Sequence, residues 1–427
     1  MLVTQLSRAI EDGQLDEQLT RLYGPSHLSQ AKDRYISLLF HARQAFGDHE
    51  TRLFSAPGRT EVGGNHTDHQ LGRVFAASIS LDVAAVVVPT DDNIITYVSK
   101  GFDVRPVDIG DTDIHEEEKN TTESLIRGVS AALKNAGYAT GGFKCYAQSD
   151  VLPGSGMSSS AAFEVLIGTI INGLYNDGNI PSQTIAKCGQ IAENTYFMKG
   201  SGLLDQMACS TGSFAYMDFA DPKQPVVQKV DFAPADYGFD LILTDVRASH
   251  ADLSDEYSLV PSEMKAAAKV LGKEVLGTCT KQEVIDHCAD IREACGDRAF
   301  LRAYHFVCET QRAKDEADAL RNGDIKTFLN LVNESGRSSW MYLQNISAPG
   351  DSAHQAIATA LALSESLLKD CGAYRVHGGG FAGTIQAFVP QSLTEQYIAL
   401  MESVFGKDCC YVLSIRDCGG TEIRAQE

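Results

Sequence analysis

Within ten residues of one another, Arg59, His66 and Asp68 bring a cation, an imidazole and a carboxylate into one glycine-rich stretch, Ala56-Pro57-Gly58-Arg59-Thr60-Glu61-Val62-Gly63-Gly64-Asn65-His66-Thr67-Asp68-His69-Gln70. A segment that only turns needs the glycines and not this set, so a hydroxyl-rich or charged ligand is the natural occupant. The His66-x-x-His69 spacing also invites a metal ion, but two loop histidines without a third ligand make that the weaker reading.

A second segment, Pro153-Gly154-Ser155-Gly156-Met157-Ser158-Ser159-Ser160-Ala161-Ala162, joins a strand-like run to a helix-like one. Small residues let backbone approach a ligand, hydroxyls donate hydrogen bonds or bind a cation, and a helix N-terminus offers free N–H groups. An anion fits such a cradle. The lysine of the Walker A pattern is missing, so a nucleotide held here is held differently, and a serine-capped core helix accounts for the same residues. Glu193 lies on a helix-like run whose apolar face is Ile185, Cys188 and Ala192, and taken alone it reads as a surface carboxylate. Asp205, in Gly200-Ser201-Gly202-Leu203-Leu204-Asp205-Gln206-Met207-Ala208, suits a general base, a metal ligand or an N-cap. The cluster Gly378-Gly379-Gly380-Phe381-Ala382-Gly383 marks a strained turn or backbone brought close to a ligand.

The elements that must position these groups follow from hydrophobic periodicity. The first 50 residues read as helical and polar, a short strand begins at Leu53, and 74–89 reads as a buried strand pair. The acidic run 111–118 reads as a solvated loop, Thr122 as the cap of a helix that stops at Gly137, and 143–149 as a half-buried strand. Later strands are expected at 241–246, 384–389 and 410–415, with helices at 262–271, 298–320, 353–368 and 393–405. Strands and helices without strict βαβ alternation predict an α+β fold, divided into domains at 1–212 and 213–427.

At 44% apolar and 22% charged residues the 427-residue chain has ordinary globular composition, and a net charge of -20 opposes nonspecific binding to nucleic acid or anionic membrane. The first twelve residues lack the apolar core of a signal peptide, which with the scattered cysteines predicts a cytoplasmic protein. Eleven cysteines without a Cys-x-x-Cys pair indicate neither a disulfide framework nor a zinc site.

The order of the three glycine-rich segments resembles the GHMP kinases, and within them the galactokinase family. Ala56-Pro57-Gly58-Arg59 and His66-Thr67-Asp68 are similar to the galactokinase signature. The serine loop resembles the family's Gly-Leu-Ser-Ser-Ser-Ala with Met157 for leucine, and Gly378–Gly383 its Gly-Ala-Gly-Phe-Gly-Gly with Gly379 and Ala382 exchanged. Ala192-Glu193 through Asp205-Gln206, and His250 through Glu256-Tyr257, match at the family's spacing. The resemblance runs from about Leu53 to Gly420.

The resemblance implies a two-domain GHMP-kinase-like fold with mixed and antiparallel sheets, the active site in the interdomain cleft, and ATP-dependent phosphorylation of a sugar at its anomeric hydroxyl. It implies Asp205 beside the attacking hydroxyl with Arg59 against it, and His66, Asp68, Tyr257, Asn65 and Gly202 around the sugar. Gly154, Ser155, Gly156, Met157, Ser158, Ser159 and Ser160, with Gly379 and Gly380, fall to the nucleotide, and Ser159 and Glu193 to a magnesium ion. Where galactokinases carry the glutamate that contacts the C6 hydroxyl, this chain has Asn65, and Asn-Leu-Ile-Gly becomes Glu61-Val62-Gly63-Gly64. Galactose is the expected substrate, with a uronate such as galacturonate or a pentose such as arabinose as the rival. A sensor that binds sugar and ATP without turnover is the reading of another class. A monomer is expected, with oligomers left open, and the adenine contacts are not identifiable.

Overall fold

A long antiparallel pair, β1 (Arg52–Gly63) and β2 (Arg73–Pro89), forms the spine of the molecule. The computed structural model describes residues 1–99, 101, 103–151, 156–248, 253–381 and 383–425. The glycine-rich signature, expected as a loop after a short strand, is strand as far as Gly63. The β1–β2 register shifts at Pro57/Arg59 and again at Glu61/Gly63, so the proline and glycines sit at irregularities that bend the strand without ending it. Residues 73–89, expected as two strands, form one. Of the polar residues that interrupt this run, Ser78 and Asp82 are fully buried and hydrogen-bonded, while Ser80 is half-buried. Asp82 accepts hydrogen bonds from Tyr23, Arg34, Ser55 and Arg416, and those two cations hold its carboxyl below the usual range although burial alone would raise it.

The strands β3 (Ile94–Ser99), β4 (Val107–Asp108), β5 (Phe143–Ser149), β6 (Phe214–Asp218) and β7 (Val226–Val230) extend this sheet. Its pairings are antiparallel except that of β3 with β5. A second, antiparallel sheet joins β8 (Phe239–Asp245), β9 (Ala373–Val376), β10 (Thr384–Pro390) and β11 (Cys410–Leu413), and β12 (Thr421–Ile423) returns to β1. The helices Val3–Glu11, Asp16–Tyr23 and Leu28–Phe46 pack Leu6, Leu19, Tyr35 and Leu38 against Ala84 and Val86 of β2. The very apolar helix Ser159–Tyr175 packs with Val83, Ala85 and Val87 in the main core. Both faces of β2 are thus dry, which is why its sequence reads as a continuous apolar run.

Most of the expected helices form near the expected bounds, among them Asp297–Arg321, Ala356–Leu368 and Thr394–Phe405. The helix expected at 262–271 begins earlier, at Ser254, and carries Pro261 inside it. The cap of helix Thr122–Asn135 is Thr121, whose side chain accepts from the Ser124 N–H, and not Thr122. The acidic run is not wholly solvated, because Glu118 is buried against Arg127 at 2.7 Å.

Candidate active site

The bend in β1 brings its backbone onto the serine loop. The Arg59 N–H donates to the Met157 carbonyl at 3.1 Å, and the Arg59 guanidinium reaches the carbonyl of Gly156. The same guanidinium meets Asp205 Oδ1 at 2.7 Å, while the Ser158 hydroxyl donates to Oδ2 at 2.5 Å. Ser158 adopts left-handed backbone geometry, φ 59°, immediately before helix Ser159–Tyr175, which aims its hydroxyl away from the helix and at the aspartate. Asp205 itself lies in the first turn of helix Leu204–Thr211, where the helix dipole favours a negative charge. Burial would raise its carboxyl, but Arg59 and Ser158 outweigh burial and hold it below the ordinary range. Arg59 is 6% exposed while the Asp205 side chain is 38% exposed, so the cation is sealed and the carboxylate opens to the cleft.

That cleft has a volume of about 930 Å³ and is lined by Arg59, Asp205, Asp68, His66, the loop residues Gly156 and Ser158 to Ser160, and Tyr257 with Gly379 and Gly380. On the phosphate-loop side, Glu193 lies on a π-helical turn, Ala192–Tyr196, and is buried rather than on the surface. Its Oε1 accepts from the Ser160 hydroxyl at 3.0 Å and its Oε2 from Gln206 Nε2 at 2.8 Å. The hydroxyl brought to Glu193 is therefore that of Ser160, one residue beyond the expected Ser159. A one-residue step turns a side chain by about 100° around a helix, so only one of the two can face the carboxylate. A carboxylate beside a hydroxyl suits magnesium, which takes few protein ligands and fills the rest of its octahedron with water and phosphate oxygens. Among the described residues no group of three or more His, Cys, Asp or Glu is arranged to hold a metal.

On the other side, His66 stands in left-handed geometry, φ 57°, and its Nε2–H donates to the Gly379 carbonyl at 3.0 Å. Burial lowers its pKa to about 4, so the ring is neutral and its second nitrogen is an acceptor. Asp68 is pushed up to about 6, first by burial and then by the negative charge of Asp205. Gly202 lies against it so closely that any side chain would collide with the carboxylate. Tyr257 donates to the Gly380 carbonyl at 2.7 Å and stands edge-on to Phe381. Gly380 has φ 81°, and a Cβ there would strike the Asn345 carbonyl, so the third glycine cluster is a close backbone crossing. His377 is a packed residue, 1% exposed, bonded to Thr384 and Thr60.

Asn65 is not in the cleft. Its side chain is fully buried, donating to Glu61 and to the Gly378 carbonyl, and accepting from Asn345 and Ser339. The Asn65 amide donates to Glu61 Oε1 at 2.8 Å, so it serves a carboxylate of β1 and not the cleft. Met157 is buried in the core and touches the site through its carbonyl. Gly154 and Ser155, like His250 and Ala382 of the neighbouring motifs, lie outside the described residues.

Three features escaped sequence reasoning. Ser158 was assigned to the nucleotide, but its hydroxyl serves Asp205. Lys199 reaches Glu193 at 3.0 Å from the loop between Glu193 and Asp205, where a lone lysine among glycines was the available signal. A second cavity of about 780 Å³ opens behind Ser159 and Ser160, walled by Val83, Tyr97, Leu125, Phe163 and His41. It is built from six separated segments, so no local pattern announces it.

Two protein-family models match this chain, the galactokinase galactose-binding signature over residues 43–89 and the GHMP kinases N-terminal domain over 124–213. The galactokinase of Lacticaseibacillus casei (strain BL23) is 30% identical over 364 residues, which cover 83% of this chain and 89% of that protein. The chain belongs to the galactokinase family. As a member of the galactokinase family it is a sugar kinase with ATP as co-substrate, and the family signature spans β1 and β2, the strands that carry and flank Arg59, His66 and Asp68. The galactokinase of Roseiflexus sp. (strain RS-1) is likewise 30% identical, over 83% of this chain and 88% of its own. Two solved structures share the fold: Lactococcus lactis galactokinase complexed with galactose, with TM-score 0.77 and 24% identity over 90% of this chain and 98% of its own, and Methanococcus jannaschii mevalonate kinase, with TM-score 0.60 and 14% identity over 87% and 99%.

Proposed function

We propose that this kinase transfers the terminal phosphoryl group of ATP to the anomeric hydroxyl of D-galactose. The observation that carries the reading is the Arg59–Asp205–Ser158 constellation, which keeps one carboxylate ionised, oriented and open to a cleft bounded by Asp68 and His66 on one side and the serine loop on the other. Asp205 would orient the sugar hydroxyl and take its proton, and Arg59 would balance the charge that spreads over the phosphoryl group. Asp68, as a double acceptor, suits two neighbouring ring hydroxyls, and neutral His66 and Gly202 border the same space.

The cavity lined by Tyr97 and Phe163 would take the adenine, with Ser159 and Ser160 shared between base and phosphates. Glu193 and Ser160 would hold magnesium, which when bound neutralises phosphate charge. The division into two domains falls best after Val230 rather than at 212, because β6 and β7 complete the large sheet. Eleven free cysteines support a reducing, cytoplasmic setting, and among the described residues no helix is long and apolar enough to cross a membrane.

An asparagine facing the sugar would admit a C6 carboxylate, but Asn65 faces the interior, so galactose stands ahead of galacturonate and arabinose. The presence of Asp205, Arg59 and Glu193 in one cleft favours turnover over sensing. Coupled ATP consumption across galactose, glucose, arabinose, N-acetylgalactosamine and galacturonate tests the reading. Galactose should give the highest kcat/KM, and turnover confined to galacturonate would overturn the substrate.

A further inference from the structure

Six residues after Glu193 and six before Asp205, the chain places an ammonium in the cleft. Lys199 Nζ lies 3.0 Å from Glu193 Oε1, the same oxygen that receives the Ser160 hydroxyl. Glu193's side chain is 3% exposed and that of Lys199 59%, so the ammonium covers the carboxylate from the cleft side. Met198, just before Lys199, is left-handed at φ 64°, and Gly200 and Gly202 follow.

An ammonium and a divalent cation brought to the same carboxylate oxygen repel each other and compete for its charge. A divalent cation held by Glu193 and Ser160 would therefore weaken the hold of Glu193 on Lys199. The released ammonium, on a four-carbon stem with three donors, would have the phosphate oxygens of a nucleotide in the same cleft as acceptors. We propose that Lys199 is a further catalytic residue of this kinase, seated on Glu193 in the empty cleft and transferred to the terminal phosphate oxygens when metal and nucleotide enter. There it offsets the charge of the phosphoryl group as its bond to the leaving diphosphate breaks and its bond to the sugar oxygen forms, with the sugar proton passing to Asp205. The inference rests on the phosphoryl-transfer reading of this cleft.

The test compares wild type with Lys199→Met and Lys199→Arg. Lys199→Met should lower kcat by about 10²-fold, with the KM for galactose unchanged and Lys199→Arg recovering part of the loss. Mn2+ added to nucleotide-free protein, followed by the electron paramagnetic resonance of the free ion, should bind several-fold tighter to Lys199→Met, because the competing ammonium is gone. A kcat of Lys199→Met close to that of wild type would overturn the proposal. So would Mn2+ binding that is unchanged or weaker, the sign expected if Lys199 merely props Glu193 in place. Failure of the wild type itself to turn over galactose would instead strike the substrate reading, and the Mn2+ arm would still report where Lys199 sits.

Discussion

Two clusters of arginine and carboxylate lie within reach of β1, and they differ in what their surroundings do to the charge. In the cleft, Arg59 and Ser158 hold Asp205 ionised with one face open. Behind the sugar loop, Glu61 is sealed among Asn65, Arg375 and Gly378, and burial pushes it up to about 7 despite two arginines nearby. Glu316, pressed against Gly63, is raised well above the ordinary range, while Glu309 is lowered to about 2 by Arg312 and His305 and accepts from the N–H groups of Gly64 and Asn65. The interior cluster uses its polar groups to fix the backbone of the sugar loop. The cleft cluster leaves one charge unfinished for a substrate to complete.

Variants that confuse the two roles would break this comparison. Apart from Asp205 itself, the largest effect on turnover is expected at Arg59, where Arg59→Ala should lower kcat by about 10²–10³-fold and move the acidic limb of the pH profile upward as Asp205 loses its cation. A steady-state pH series measures both. In the interior cluster the loss should be one of stability. Asn65→Ala strips partners from Glu61, Ser339 and Asn345 and should cost about 1–3 kcal/mol in urea unfolding, with little change in the KM for galactose. A large KM effect with unchanged stability would return Asn65 to the sugar site.

The two clusters also titrate differently. Glu61 has a folded value of about 7 against 4.5 for a free glutamate, so the folded state holds a proton that the unfolded chain releases. Its contribution to stability is complete below the unfolded value and is lost as pH rises through about 7. Wild type should therefore fall in stability relative to Glu61→Gln between about pH 5 and about pH 8. In the cleft, Asp68 near 6 should make galactose binding weaken as pH falls through that value, because protonation removes an acceptor. Galactose titrations at several pH values read this directly, and Asp68→Asn should flatten them. The smallest effect is expected for Ser160→Ala, which should raise the magnesium concentration needed for half-maximal rate by a few-fold.

Much of this was legible in the residues. Strands such as β5 and helices such as Ser159–Tyr175 followed from periodicity, and the glycine clusters marked where backbone meets a ligand. The long β1 was hidden because Pro57 and the glycines look like loop formers, and only the pairing partner β2 turns their irregularity into bulges. Asn65 was misplaced because a sequence shows which residue type stands beside His66 but not that Glu61 pulls its amide inward. Ser160 and Ser159 are equivalent on paper, and one helical step separates them in space. Lys199 carried a signal in its flanking glycines, while the cavity around Tyr97 and Phe163 is assembled from segments that only the fold brings together.

Asp205 carries the chemistry assigned to this cleft. Galactose affinity by calorimetry and ATP turnover by coupled assay, both on Asp205→Asn beside wild type, test it most directly. Retained galactose binding with kcat lowered by about 10²–10⁴-fold is the predicted result. Turnover near that of wild type would remove Asp205 from the chemistry and contradict the assignment of this cleft.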